Sequence, residues 1–322
     1  MQDCVNWFCH YANLFKIHSE FLVVNYNPIE ENSSITEAIN FPLSAYVKFK
    51  IITVEASFHN SISHKAIRKN VPLYEYIAKN IGIRRATGEY IVSGNPDVIW
   101  DVSIFKFIAQ KKLQVNCYYR ADRADFSGSL PPLLPNYENL QLIRNSVFKM
   151  FKKGFKYECG IAKCPSLKIL SLEIMNRWHL FRELKIAEYE TLSKKLNLNI
   201  NYNNVEYEIH TNASGDFFMM HNSKWHELKG HPENTYLSIH TDSISIAMAR
   251  YSGLKEKVFF YLVYHRDHSR RFVPETKDAD IESMYDKFET DAKWMRKTQK
   301  PIIYNDDNWG FPEHNFHTIQ YK

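Results

Sequence analysis

The chain has 322 residues, enough for one large domain or two small ones. Apolar residues make up 44% and charged residues 24%, which excludes a disordered chain, and ten glycines exclude a Gly-rich linker protein. The net charge of +5 comes from Lys and Arg dispersed among acids, and the densest basic run, KMFKKGFK (149–156), reads as solvated surface, so no nucleic-acid partner is expected.

The five cysteines, Cys4, Cys9, Cys117, Cys159 and Cys164, are odd in number and form no CxxC pair. That pattern argues against zinc fingers and a secreted disulfide framework. No apolar run approaches the roughly 20 residues of a membrane span. MQDCVNWFCHYANLF lacks the basic start and clean apolar core of a signal peptide. The expectation is a reduced, cytoplasmic protein without a transmembrane segment.

In chain order, apolar positions at helical spacing predict a helix over 2–17. EFLVVNYNP (20–28) reads as a buried strand entering a loop, and Ser33 or Ser34 can cap a following helix. YVKFKIITV (46–54) is a second strand, and 73–88 a helix stopped by Gly88. EYIVSG (89–94) is a third strand, DVSIFKFIAQK a helix and LQVNCYYR (113–120) a fourth strand. Strands alternating with helices predict an α/β layered sheet. Ligands in such folds gather beyond the carboxyl ends of strands, here after Asn25, Val54, Gly94 and Arg120.

Residues 125–165 read as irregular and 166–196 as helical. A second ordered block follows: strands over 205–212 and 216–220, a short helix ended by Gly230, a helix over 239–253 and a strand KVFFYLVYH (257–265). From about 275 the tail holds an amphipathic helix and NDDNWGFPEHNF. This divides the chain into a domain over 1–275, with halves 1–125 and 205–275 around an irregular or helical insert at 126–204, and a helical tail over 276–322 that packs on it.

In GEYIVSGNPDVIW a strand runs into Asn95-Pro96-Asp97. Pro96 cannot continue a central strand, so Asp97 is held at the lip of the sheet, where a carboxylate can meet Mg²⁺ or Mn²⁺. The same tripeptide is also an ordinary Asx turn. Asn80, Arg84 and Arg85 lie one element upstream, and Arg can clamp a phosphate or simply form a surface ion pair. YYRADRADF (118–126) ends a strand with Arg120, Asp122, Arg123 and Asp125, which suits a polar cleft or a self-paired loop. Asp242 falls in the first turn of a helix, placed either to take a proton from a hydroxyl or merely to stabilise that turn. In YHRDHSRR (264–271), His265 and His268 are three apart, a spacing that can bring both rings to one ion, with Asp267 available to orient one of them.

Taken in order, AKNIGIRRATGEYIVSGNPDVIW, YYRADRADF, ASGDFFMMHNSKWHELKGHPE, HTDS and YHRDH resemble the GT-A glycosyltransferases, the second half being similar to the β-1,4-galactosyltransferase type. The resemblance covers roughly residues 20–126 and 205–271. It implies a GT-A mixed sheet flanked by helices, a Mn²⁺ (or Mg²⁺) ion, a UDP-sugar donor and a glycan or glycosylated acceptor. Asp97 matches the last acid of the family's Asp-x-Asp motif, and Asn95 stands where the first acid usually is. His268 matches the metal-binding His, and His265 falls where the galactosyltransferases carry a Met ligand. Asp242 matches the catalytic base of an inverting transfer. Gly215 and Asp216 match the segment lining the sugar and acceptor pocket, with Trp225 in the short helix behind it and Glu233 on the same substrate side. Asn25, Asn80, Arg84, Arg120 and Arg123 complete the candidates for the donor. Family members begin with a strand ahead of the first helix, whereas Met1 opens inside that helix, so a central strand is expected to be missing. With Asn95, that departure motivates an alternative: a degenerate module that binds nucleotide-sugar or glycan without efficient turnover.

Overall fold

The computed structural model describes residues 1–29, 31–63, 71–152, 155–158, 200–202, 213–233, 240–259, 261–268 and 278–321. It is a mixed α/β architecture in which three mixed sheets are flanked by helices. The first sheet has the order β1–β2–β13, with β1 (Ser19–Tyr26) parallel to β2 (Val47–Val54) and β13 (His317–Tyr321) antiparallel to β2. The second has the order β11–β5–β10–β3, formed by β3 (Tyr90–Gly94), β5 (Cys117–Arg120), β10 (Phe217–His221) and β11 (Lys255–Val258). The third has the order β4–β12–β6–β7–β8–β9, formed by β4 (Val98–Trp100), β6 (Arg123–Phe126), β7 (Val147–Lys152), β8 (Phe155–Glu158), β9 (Ile200–Tyr202) and β12 (Val263–Arg266).

Helix α1 (Gln2–Leu14) buries Cys4, Val5, Trp7, Cys9, Tyr11 and Ala12. Its Phe8 reaches both Phe21 of β1 and Trp100 of β4 edge-on, at 5.1 and 5.4 Å. Helix α4 (Glu75–Arg85) covers β1, where Gly82 leaves room for Leu22 and Val24, and it also packs on β3. Thus α1 bridges β1 to β4 and α4 bridges β1 to β3, yet β1 and β3 are not hydrogen-bonded to each other. Every residue of β1 is only partly buried, although its sequence SEFLVVNY is largely apolar. No strand lies between β1 and β3 among the described residues.

The remaining helices are α2 (Ile35–Ala38), α3 (Ala56–Ser63), α5 (Val102–Ala109), α6 (Tyr137–Asn145), α7 (Asn222–Glu227), α8 (Thr241–Tyr251) and α9 (Asp278–Thr298). Asp101 caps α5 by accepting from the Ser103 N–H. Asn136 does the same for α6 through Asn139. Each such cap is worth about 1 kcal/mol. The core above the second sheet joins Ile83, Tyr118, Phe218, Trp225, the α8 residues Ile244 to Ala249 and the α9 residues Phe288 and Met295.

Several expectations need correction. The predicted strand 257–265 is two strands in different sheets: β11 runs parallel to β5, and β12 runs parallel to β6. The partner segment passes from β5 to β6 at Ala121-Asp122; opposite it, β11 ends at Val258 and β12 opens at Val263. Residues 125–165, read as irregular for their Pro and Gly content, contain α6 and the ribbon β7–β8, because turn residues there separate short elements rather than dissolve them. Val98–Trp100 is a strand that sequence reading absorbed into the turn before α5. The tail is not purely helical: His317–Tyr321 extends the first sheet as β13, which covers the outer edge of β2. The helix expected over 166–196 and the strand expected over 205–212 lie outside the described residues. Among the described residues, no helix is long and apolar enough to cross a membrane.

Candidate functional site

Asp97 sits in the turn between β3 and β4, with Pro96 ending the first strand. Its Oδ2 lies 3.0 Å from His268 Nε2 and 3.3 Å from His265 Nε2. The ligand atoms of the three residues lie within 4.8 Å of one another. Burial would raise the Asp97 pKa, but hydrogen bonds from both imidazoles and the charge of His265 outweigh it and hold the carboxyl well below its usual range. The pKa of His265 is lowered by burial but carried up to about 9 by Asp125 and Asp97. The second oxygen of Asp97, Oδ1, is buried and has no hydrogen-bond partner in the described structure. One carboxylate and two imidazoles, with an unsatisfied oxygen among them, form a mixed oxygen and nitrogen donor set that a first-row divalent cation can take. The residues present therefore fit the ion that the sequence suggests.

Asp242 lies in the first turn of α8, whose preceding residue His240 adopts the left-handed conformation at φ 56°. That backbone is uncommon for a non-glycine residue. Asp242 Oδ2 accepts hydrogen bonds from Ser214 Oγ at 2.7 Å and the Gly215 N–H at 2.9 Å. A Cβ at Gly215 would stand 3.1 Å from Tyr76 Oη, 3.5 Å from Asp242 Oδ2 and 3.7 Å from Lys79 Nζ. Tyr76 Oη would have to give by a few tenths of an ångström to admit it, while the other two are ordinary contacts.

Lys79 links this end to the other. Its ammonium donates to Gly215 O and to Asn95 Oδ1, both at 2.9 Å, and pairs with Glu75 at 2.8 Å. Asn95 Nδ2 donates to Asp216 Oδ1 at 2.8 Å. Arg123 Nη1 donates to Asp216 Oδ2 at 2.9 Å, and its Nε lies 2.9 Å from Asp125 Oδ1. Asp125 faces His265. A continuous polar track thus runs from Asp242 through Gly215, Lys79, Asn95, Asp216, Arg123 and Asp125 to His265 and Asp97. Asp216 is almost fully buried, and its pKa is raised by burial despite the opposing charges of Arg123 and Lys79.

The other sequence candidates lie elsewhere. Asn80 is fully buried: its amide donates to His231 O and Glu233 Oε1, and its Oδ1 accepts from the His231 N–H. Arg84 stacks on Trp309 at 4.7 Å, and Arg85 donates to the carbonyls of Gly310, Phe311 and His314. Asn80 and Arg84 are four residues apart, hence on one helix face, and that face binds the C-terminal segment. Glu75 and Lys79 occupy the face toward the track. Glu233 accepts from Asn80 and from the Gly310 N–H, away from the Asp97–His265–His268 cluster. Arg120 is fully buried in β5, with Glu256 Oε1 3.9 Å away. Trp225 is a core residue whose indole donates to Ile91 O. Asn25 lies one residue before the end of β1, opposite Thr53, in the first sheet.

Sequence reading missed Lys79, Ser214 and the part played by Asp125. Lys79 stands four residues after Glu75, and that spacing was the available signal for a charged helix face. Ser214 carried no signal beyond its neighbour Gly215. A scan against protein-family models matches none, and no curated protein matches the chain.

Proposed function

We propose that the chain is a metal-dependent inverting glycosyltransferase of GT-A type, transferring a sugar from a UDP-sugar to a hydroxyl of a glycan or glycosylated acceptor. The observation that carries this reading is the polar track that ties a carboxylate at a helix start, Asp242, to a three-residue cation site at the lip of a neighbouring sheet. A sugar-nucleotide transfer needs those two ends close together: a base for the acceptor and a countercharge for the departing diphosphate. The order of sequence motifs supports the same reading.

Asp97, His265 and His268 would hold the ion, which supplies charge neutralisation to the diphosphate leaving group when bound. Asp242 takes the proton of the acceptor hydroxyl. The acceptor oxygen then bonds to the anomeric carbon as the bond from that carbon to the diphosphate breaks, and UDP departs with the electron pair. Lys79 and Ser214 fix the geometry around Asp242, since both hold the 214–215 turn from which its carboxylate is oriented. Arg123 holds Asp216, whose other oxygen accepts from Asn95.

The site is tested by mixing the purified chain with a panel of UDP-sugars and Mn²⁺ and measuring UDP release. Release that depends on Mn²⁺ supports the reading; a folded chain giving neither release nor binding with any donor sinks it. One observation favours a second reading, a module that binds donor or glycan without turnover. Asn95 replaces an acid, and both ends of its amide are taken by Lys79 and Asp216. Donor affinity without transfer, unchanged in Asp242→Ala, is the outcome for that case.

A further inference from the structure

We propose that Asp125 is a positioning residue that fixes the ring of His265 so that its Nε2 faces the ion held at Asp97. This rests on the metal reading above. Asp125 and His265 are direct register partners on the parallel strands β6 and β12. Side chains at paired positions on neighbouring strands stand on the same face of the sheet. His265 Nδ1 lies 3.3 Å from Asp125 Oδ1, and Nε2 lies 3.3 Å from Asp97 Oδ2. The ring therefore stands between two carboxylates, one near each nitrogen; Nδ1 and Asp125 Oδ1 are within ion-pair distance but not aligned as a hydrogen bond.

A histidine that binds a cation through Nε2 must carry its proton on Nδ1, and a carboxylate facing Nδ1 selects that tautomer and holds the ring plane. Asp125 is suited to this task because it is itself immobilised. Its side chain is nearly buried, with Arg123 Nε at 2.9 Å and Lys149 Nζ at 3.8 Å. Two cations on one carboxylate offset the cost of burying it and keep it from swinging to the ion as a ligand. The backbone contributes as well. The pairing of β6 with β7 shifts register between Asp125 and Phe126, and such irregularities re-aim a side chain relative to a regular strand. Asp125 also joins the cation site to the rest of the track, since Arg123 bridges it to Asp216.

The test is Mn²⁺ affinity, read from the spin resonance of free Mn²⁺, on the full chain and on Asp125→Ala, Asp125→Asn and His265→Ala, each checked for an unchanged melting transition. Asp125→Ala is expected to weaken Mn²⁺ binding about 10- to 100-fold. Asp125→Asn, which keeps an acceptor oxygen toward Nδ1, is expected to recover part of that loss and guards against a folding defect in the alanine variant. In the His265→Ala background, Asp125→Ala is expected to add less than about a twofold loss, because its effect passes through the ring. Unchanged affinity in Asp125→Ala overturns the inference, and so does an equal loss with and without His265, which would make Asp125 a general charge. A native chain that binds no Mn²⁺ removes the metal reading itself, a result distinguishable from native binding that ignores Asp125.

Discussion

Two networks meet at helix α4, one on each face, and they are built on opposite terms. On the Asn80 face, buried polar groups satisfy one another. His231 lies between Ser93 Oγ and Ser245 Oγ at 2.9 and 2.7 Å, and Asn80 closes bonds to both His231 and Glu233. On the Lys79 face, charged groups crowd together and Asp97 Oδ1 remains without a partner. A fully satisfied network rigidifies the fold, whereas crowded charges and an orphaned oxygen cost stability and are kept where a ligand completes them. The comparison teaches that one helix separates scaffold from candidate site within a single turn.

The largest expected effect that sharpens this contrast is on the track. Asp242→Asn should lower UDP-sugar transfer by about 10²- to 10⁴-fold while leaving the melting temperature nearly unchanged. An unaltered rate would remove Asp242 from the chemistry. On the opposite face the reverse is expected. Asn80→Ala should cost about 2–4 kcal/mol of unfolding free energy, measured in urea, because it strands the buried His231 N–H and takes a donor from the Glu233 carboxyl, while the His231 carbonyl keeps its bond from Asn305. A loss below about 1 kcal/mol would break the distinction between the faces.

Lys79→Met should fall between the two, with transfer reduced about tenfold and stability by about 1 kcal/mol, as Asn95 and Gly215 lose a shared donor. A further expected effect is a pH slope. Burial pushes the Glu233 carboxyl up to about 7 against its ordinary 4.5, although Asn80 and Gly310 bonds pull the other way. The native state therefore binds an extra proton between those values, and stability falls as pH rises from about 4.5 to about 7. Glu233→Gln should flatten that part of the stability profile; an identical slope would show that another group sets it.

Much of the candidate site was legible because its chemistry is concentrated in short motifs. Asp97 followed from a strand broken by Pro96, and the i, i+3 pairing of His265 and His268 placed two rings together. What the sequence could not convey was direction around a helix. Asn80 and Arg84 looked like donor-binding residues, but one step of about 100° separates them from Lys79. Arg120 ended a strand as expected, yet it points inward, because both faces of β5 are covered. The fold was legible where hydrophobic runs were long, as in β2 and α1. It was illegible where one apolar run, KVFFYLVYH, served two sheets, since periodicity cannot mark a change of partner. Sheet order was likewise invisible: the separation of β1 from β3 depends on pairing between residues far apart in sequence.

The central claim is that Asp242 and the Asp97–His265–His268 cluster serve one substrate. It is tested most directly by a crystal structure of the chain with Mn²⁺ and UDP. The account predicts Mn²⁺ on Asp97, His265 and His268, its diphosphate bridged on the side of Lys79, and an open space between that diphosphate and the Asp242 carboxylate. Mn²⁺ bound elsewhere, or UDP seated away from the track, would contradict it.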